Sequence, residues 1–233
     1  MFQISLMLSP NRLDIHTSLA EGLEAEGEWN NALIERQNIL KKINPENSTE
    51  LKEAYHALAN CALQAEQPDL AVEASDKALS IAPEDGLAYV FKGEASFKKS
   101  NLQESLEHFK QAVQYVPHLP EPWLGLVKAY RSTGQAEKVI DTLKEAIQAA
   151  PLSYEVHFTL GEEYLANGEQ TQACMLFQRA YELVTVANRQ TGEYYWKICL
   201  RLGQTLLQLG HLLQAHEVLD KAYNQASTSG YIL

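Results

Sequence analysis

The chain has 233 residues, of which 45% are hydrophobic, and a formal net charge of −11 at pH 7. This composition is typical of a globular protein, and the negative charge argues against general nucleic-acid binding, which depends on a basic surface. No apolar stretch approaches the roughly 18 to 20 residues of a membrane-spanning helix, so the sequence predicts no membrane insertion.

The cysteines indicate a reducing compartment. Cys61, Cys174 and Cys199 are odd in number and lack the spacing of metal ligands. Reduced cysteines are typical of proteins inside the cell. The N-terminal segment 1–12 has no basic region before its short apolar run, so no signal peptide is predicted. We therefore expect a cytoplasmic location.

The sequence repeats with a period of 34 residues. Residues 86–119 and 120–153 align Tyr89 with Trp123 and Pro117 with Pro151, each pair 34 residues apart. The same frame gives six copies in all: 13–46, 52–85, 86–119, 120–153, 154–187 and 196–229. A fixed period of this length indicates stacked structural units that share one core. We expect one repeat domain over 13–229, followed by a tail at 230–233.

Each copy contains two apolar stretches at helical spacing, separated by a turn. In the fourth copy Trp123, Leu126 and Tyr130 fall on one helix face. Gly134 lies in the turn, where a left-handed conformation would end the first helix. Pro151 ends the second helix because proline cannot continue one. The pattern predicts a pair of antiparallel helices in every copy.

Two insertions interrupt the period. About five residues, 47–51, follow the first copy, and about eight, 188–195, follow the fifth. Since no proline follows the fifth copy's second helix, we expect that helix to run on towards residue 189. A break at 191–192 would follow, and the next helix would start near Glu193. Tyr194 and Tyr195 would then project on an extra turn, either as ordinary surface residues or as a contact patch.

The recurring residues resemble the tetratricopeptide repeat family. They occupy positions 4, 7, 8, 11, 20, 24, 27 and 32 of each copy, as in His157, Leu160, Gly161, Tyr164, Ala173, Phe177 and Ala180 of the fifth. Position 24 departs from the pattern in the first two copies, which carry Arg36 and Ser75. The resemblance implies an all-α, right-handed superhelical solenoid of antiparallel helix pairs. Its first helices would line a groove that binds a peptide or helix of another protein.

The resemblance also identifies the groove-facing positions, near 2, 5, 9 and 12 of each repeat. The predicted partner-binding groove consists of Val90, Phe97, Leu124, Lys128, Arg131, Phe158, Leu165, Lys197, Leu200 and Arg201. Its acidic end consists of Asp14, Glu21, Glu24 and Glu53, with no offsetting base. An exposed apolar stripe of this kind usually indicates a partner. The alternative is that a tight superhelix or a chain terminus covers it.

Lys197 and Arg201 lie one helical turn apart in this acidic chain. They match half of the carboxylate clamp that chaperone-binding members of the family use. Leu124, Lys128 and Thr159 occupy positions where that clamp needs other residues. A full clamp is therefore disfavoured. A looser anion contact through Lys128, Lys197 and Arg201 and two solvated cations remain as alternatives.

The sequence contains no arrangement of residues that predicts catalysis, metal binding or a cofactor. His16 and His157 occupy the aromatic position 4, where we expect packing. We therefore predict a non-enzymatic scaffold that binds another protein. One alternative is a peptide-sensing regulator. Another is a structural subunit, or self-association, through a last repeat that would leave parts of its second helix uncovered, at Leu219, Ala222, Tyr223 and Ala226.

Overall fold

The computed structural model describes residues 12–187 and 193–228, and every regular element in those ranges is an α-helix. The twelve helices are α1 (Leu13–Ala25), α2 (Trp29–Leu40), α3 (Ser48–Gln64), α4 (Pro68–Ile81), α5 (Gly86–Lys98), α6 (Leu102–Tyr115), α7 (Pro120–Ser132), α8 (Ala136–Ala149), α9 (Tyr154–Ala166), α10 (Gln170–Val186), α11 (Glu193–Gln208) and α12 (Leu212–Thr228).

The helices form six pairs, one for each copy of the repeat, in two compact units. The first unit ends at Val116 and holds α1 to α6, and the second begins at Pro117 and holds α7 to α12. Within each unit a helix contacts its own partner and the first helix of the next pair. The predicted all-α fold of stacked helix pairs is confirmed.

One residue of each pair turns the chain from the first helix to the second. Gly134 has a φ of 71°, which confirms the left-handed conformation predicted for it. The corresponding residue has a φ between 58° and 82° in all six copies: Gly27, Glu66, Ser100, Gly134, Gly168 and Gly210. This conformation lets the chain reverse within a few residues, although it costs energy for a residue with a side chain, as in Glu66.

Residues 48–51 of the first insertion and 193–195 of the second lie in helices. α3 begins at Ser48, four residues before the second copy of the period, and the Asn47 side chain accepts a hydrogen bond from the Glu50 backbone N–H at its start. α11 begins at Glu193, as predicted. α10 extends to Val186, and the expected continuation and break at 188–192 lie outside the described residues.

Positions 8 and 24 pack against each other in the third, fifth and sixth copies. Gly161 in α9 faces the fully buried ring of Phe177 in α10, and an added Cβ would lie 2.6 Å from Cε1 of that ring. Gly93 and Phe109 repeat this arrangement in the third copy. In the fourth copy these positions hold Val127, which is larger than glycine, and Leu143, which is smaller than phenylalanine, and both are buried. The glycine therefore creates the space into which the large side chain packs.

The residues of α12 that the sequence predicts to be uncovered differ in exposure. Ala222 is buried and Leu219 half-buried, so the prediction is wrong for both, whereas Tyr223 is exposed. The side chain of Ala226 lies outside the part of the chain that the structure describes.

The first copy places a charge at position 24. The Arg36 side chain is only 12% exposed and makes two hydrogen bonds with Glu24, Nε to Oε1 and Nη2 to Oε2, both 2.8 Å long. These bonds raise the pKa of Arg36 against the opposing effect of burial. The prediction of an acidic end with no offsetting base is therefore wrong at Glu24, and also at Asp14, which pairs with the exposed Arg12.

Replacing Glu24 by alanine should lower the free energy of unfolding by about 2 kcal/mol, because Arg36 would remain buried without a counter-charge. A fully buried pair loses about 3–5 kcal/mol when one partner is removed, and these side chains keep some exposure. Asp14→Ala is the matched control, since an exposed pair contributes about 1 kcal/mol or less. Urea unfolding followed by circular dichroism measures both, and equal effects of the two variants would contradict this role of Glu24.

Candidate functional site

A pocket of about 340 Å³ opens between the first helices of the last two pairs. We call it the α9–α11 pocket, and its lining consists of Phe158, Glu162, Trp196, Lys197, Leu200 and Arg201. Four of these residues belong to the groove predicted from the sequence. The structure therefore brings Phe158, Lys197, Leu200 and Arg201 together at one place in the second unit.

Helix geometry explains how α11 supplies most of the lining. Residues 196, 197, 200 and 201 fall on one face because they are spaced one, three and four apart. The opposite face of α11 carries Ile198, Cys199 and Leu202, which are fully buried in the core of the second unit. Because the buried face fixes the rotation of the helix, it also directs the pocket residues away from the core.

Two arginines, Arg201 and Arg131, form ion pairs with glutamates of α9. Arg201 donates a hydrogen bond from Nη2 to Glu162 Oε2 at 3.2 Å, and its Nε lies 2.8 Å from Oε1 in the same ion pair. Arg131 in α7 pairs with Glu163 of α9. The adjacent glutamates thus tie α9 to the helix on either side of it. An anion clamp built on Arg201 would have to compete with Glu162, which disfavours this form of the prediction.

Lys197 is the other cation of the pocket. Its Nζ lies 5.9 Å from the centre of the Trp196 ring, within range of a cation–π interaction. The side chain is half-buried beside the apolar Leu200. The indole ring and the aliphatic side chain can contact an apolar group of a ligand. The ammonium group beside them can bind a negatively charged group next to it.

Phe158 contributes both to the pocket and to the fold. Its ring centre lies 5.5 Å from that of Phe177 in the core and 6.0 Å from that of Tyr194. A charged substitution at Phe158 would therefore disturb core packing as well as any ligand. Leu200 lines the same pocket without belonging to the core cluster, so it is the better residue for testing binding.

The two tyrosines at the start of α11 contact aromatic side chains of α9 and α10. Tyr195 is buried, and its ring centre lies 6.1 Å from that of Tyr181 in α10. Tyr194 contacts the rings of Tyr154 and Phe158 edge-on. The expectation that both project from the stack is wrong for Tyr195, whereas Tyr194 is 38% exposed and contacts its neighbours with only part of its ring.

The other predicted groove residues of the second unit differ in how far they are buried. Leu124 of α7 and Leu165 of α9 are half-buried, and Leu165 packs against the core cluster. Lys128 and Arg131 on α7 are exposed. The predicted groove positions of the second unit therefore combine half-buried apolar side chains with exposed charged ones.

In the first unit the predicted groove residues divide between surface and core. Val90 is only 6% exposed, so the prediction that it lines an open groove is wrong. Phe97 is half-buried at the end of α5. Glu21 and Glu53 are exposed. His56 lies 2.6 Å, through Nε2, from Oδ2 of Asp85, which links the second pair of helices to the third.

Two features of the pocket were not predicted from the sequence: the presence of Trp196 and the pairing of Glu162 with Arg201. Trp196 occupies position 1, which is not a groove position in the family, and its exposure to the pocket follows from the early start of α11. Glu162 lies at a groove position, but its pairing with Arg201, 39 residues later, depends on how two repeats stack. An aromatic residue directly before Lys197 is the only local signal for the first of them.

The histidines and cysteines have structural surroundings. His16 and His157 are buried, as predicted, and burial lowers the pKa of His157 while Nδ1 bonds to the Ser153 carbonyl. Burial raises the pKa of Cys61 and of Cys199 to about 11, which makes each a poor nucleophile. Within 12–187 and 193–228, no three His, Cys, Asp or Glu side chains are grouped so that they could hold a metal ion.

The helices of the described residues are also too short or too polar to cross a bilayer. None of them combines the length with the apolar composition of a membrane span. The longest, α3, α10 and α12, have 17 residues each and carry polar side chains along their length.

Known proteins resemble the chain over most of its length. It is 27% identical to BBSome complex member BBS4 of Bos taurus over 96% of this chain and 47% of that protein. It is 28% identical to Tetratricopeptide repeat protein 33 of Homo sapiens over 56% of this chain and 48% of that protein. The chain thus spans about half the length of these relatives.

A solved structure shows the same fold. It is TTC0263, a thermophilic tetratricopeptide repeat protein of Thermus thermophilus, with a TM-score of 0.62 and 22% identity over 84% of this chain and all of that one. Two family models described as Tetratricopeptide repeat match residues 56–120 and 96–154. With six helix pairs in the period of that family, the chain is a tetratricopeptide repeat protein.

Proposed function

We propose that this protein is a non-enzymatic interaction scaffold, and that a segment of another protein binds in the α9–α11 pocket and along the neighbouring first helices. The observation that carries the proposal is the pocket itself, because it joins apolar and aromatic walls to one lysine. The relatives support the coarser statement, since one of them is by name a member of a multi-protein complex. We propose the chemistry of the partner segment and do not name a particular partner protein.

The chemistry of the pocket defines the partner segment. Phe158, Trp196 and Leu200 offer apolar and aromatic surface to one large apolar side chain. Lys197 would meet an acidic group beside it, either a side chain or a C-terminal carboxylate. Arg201 keeps Glu162 as its partner in this arrangement. The exposed acids Glu21 and Glu53 of the first unit would favour basic residues elsewhere in the same partner.

A selection from a library of short displayed peptides tests this preference. The wild-type protein should enrich peptides with a large apolar residue next to an aspartate, a glutamate or a free C-terminal carboxylate. Lys197→Gln should bind the enriched peptides more weakly by about 10-fold, the usual size of a charge-assisted contact at a partly exposed site. Enrichment of basic peptides, or equal binding by the variant, would contradict the proposal.

A further inference from the structure

All three nitrogens of the Arg201 guanidinium lie close to side-chain oxygens of this chain. Its Nη2 donates to Glu162 Oε2 at 3.2 Å, and its Nη1 donates to Gln204 Oε1 at 3.2 Å. Its Nε lies 2.8 Å from Glu162 Oε1. A guanidinium binds a carboxylate most strongly through two neighbouring N–H groups. A partner's carboxylate would therefore have to share the donors of Arg201 with Glu162.

This ion pair belongs to the wall of the α9–α11 pocket. The side chains of Arg201 and Glu162 are 41% and 31% exposed, and both line the pocket. A ligand in the pocket therefore meets both charges of the pair. The guanidinium attracts an acidic group of that ligand, whereas the carboxylate beside it repels the same group.

The charges that line the pocket favour one negative charge in the ligand. Lys197 and Arg201 lie one turn apart on α11, and Glu162 of α9 is the carboxylate of the lining. These three side chains together leave one positive charge in excess. One acidic group of a partner balances that charge. A second acidic group would leave a negative charge in excess in a partly covered site, where charges interact more strongly than in bulk water.

We propose that the α9–α11 pocket selects a partner segment with a single negative charge, and that Glu162 sets this limit by holding Arg201. The limit presupposes the proposed function, because it concerns the segment that binds there. Glu162 takes, from within the chain, the place that a second acidic group of the partner would otherwise occupy beside Arg201. It is therefore a specificity-determining residue of the pocket.

Two kinds of partner segment are disfavoured by this limit. One is a chain terminus whose last residue is itself acidic, since it carries two carboxylates. The other is a phosphorylated residue, which carries a charge of about −1.5 to −2 at pH 7. The favoured segment has a large apolar residue beside one aspartate, one glutamate or one C-terminal carboxylate.

The next residue of α9 offers a matched control. Glu163 pairs with Arg131 of α7, whose Nε donates to its Oε1 at 2.8 Å, and it does not line the pocket. Glu162→Gln and Glu163→Gln each remove one charge from the same helix and release one arginine. Only the first variant releases an arginine inside the pocket. Ion pairs with this exposure contribute little to stability, so both variants should stay folded, which circular dichroism checks.

Two synthetic peptides that differ by one charge are the probes. Both are acetylated and have the same sequence, with a leucine directly before a last aspartate. One ends in an amide and carries the aspartate charge alone, whereas the other ends in a free carboxylate and carries two charges. Isothermal titration gives the ratio of their dissociation constants, from which the shared apolar contact cancels.

The wild type should bind the amide at least as tightly as the free acid. Glu162→Gln should bind the free acid about 10-fold more tightly than the amide, because two cations then meet two carboxylates. Glu163→Gln should keep the wild-type ratio. Adding Arg201→Gln to Glu162→Gln should remove the gain, since the released guanidinium is its source.

The ratio decides on the inference separately from the proposed function. A wild type that already prefers the free acid, or an unchanged ratio in Glu162→Gln, would overturn the inference although the amide binds. An equal gain in Glu163→Gln, or a gain that survives the loss of Arg201, would overturn it as well. A wild type that binds neither peptide would contradict the proposed function. Binding of the free acid by Glu162→Gln alone would then still support the role of Glu162, and no binding by either protein would overturn both.

Discussion

Replacing Gly161 by alanine is expected to lower the free energy of unfolding by about 2 kcal/mol, although alanine favours helices. The new Cβ would lie 2.6 Å from a buried ring atom of Phe177, which has no room to move away. Overpacking of this kind lowers the free energy of unfolding by up to about 3 kcal/mol. The higher helix propensity of alanine offsets about 1 kcal/mol of this loss. Thermal unfolding followed by circular dichroism should show a midpoint lowered by about 4–8 °C.

Gly22→Ala is the control for Gly161→Ala, because its Cβ would meet nothing within 4 Å. Measured at low protein concentration, it should leave the stability unchanged or raise it by up to about 1 kcal/mol through helix propensity. Adding Phe177→Leu to Gly161→Ala should recover part of the loss, since the fourth copy combines Val127 with Leu143. Losses that simply add up in the double variant would contradict the fit between positions 8 and 24.

Much of the fold was predictable because the repeat fixes it locally. The helix pairs, the turn at Gly134 and the burial of His157 all follow from residues within one period. Each depends on contacts inside a repeat or with its neighbour, where a 34-residue pattern recurs six times. The register of the first helices then indicates which residues face the predicted groove, and four of these line the α9–α11 pocket.

Several of the contacts that were not predicted lie where a copy departs from the 34-residue period. The pairing of Arg36 with Glu24 compensates a charge that only the first copy carries at position 24. The packing of Tyr194 and Tyr195 follows from the early start of α11, beside an insertion that the regular period lacks. The ion pair between Arg201 and Glu162 joins residues 39 positions apart, across that same insertion. A repeat pattern describes the average copy and cannot predict these individual contacts.

Leu200→Glu is expected to abolish partner binding while leaving the fold intact. Leu200 lines the α9–α11 pocket and lies outside the core cluster, so the chain can carry a charge there. A carboxylate in the pocket would replace the apolar contact with a charge, would repel the partner's acidic group and would compete with that group for Lys197, three residues earlier on α11. The affinity should fall by about 100-fold or more, as for the central residue of an interface.

The affinity of one enriched peptide for three proteins tests the central claim most directly. Isothermal titration of the wild type, Leu200→Glu and Met175→Glu compares the pocket with an exposed apolar residue on α10 outside it, at matched charge. We predict that Met175→Glu binds like the wild type and that Leu200→Glu shows no measurable heat of binding. Equal affinity of all three proteins would contradict the claim that the α9–α11 pocket binds the partner.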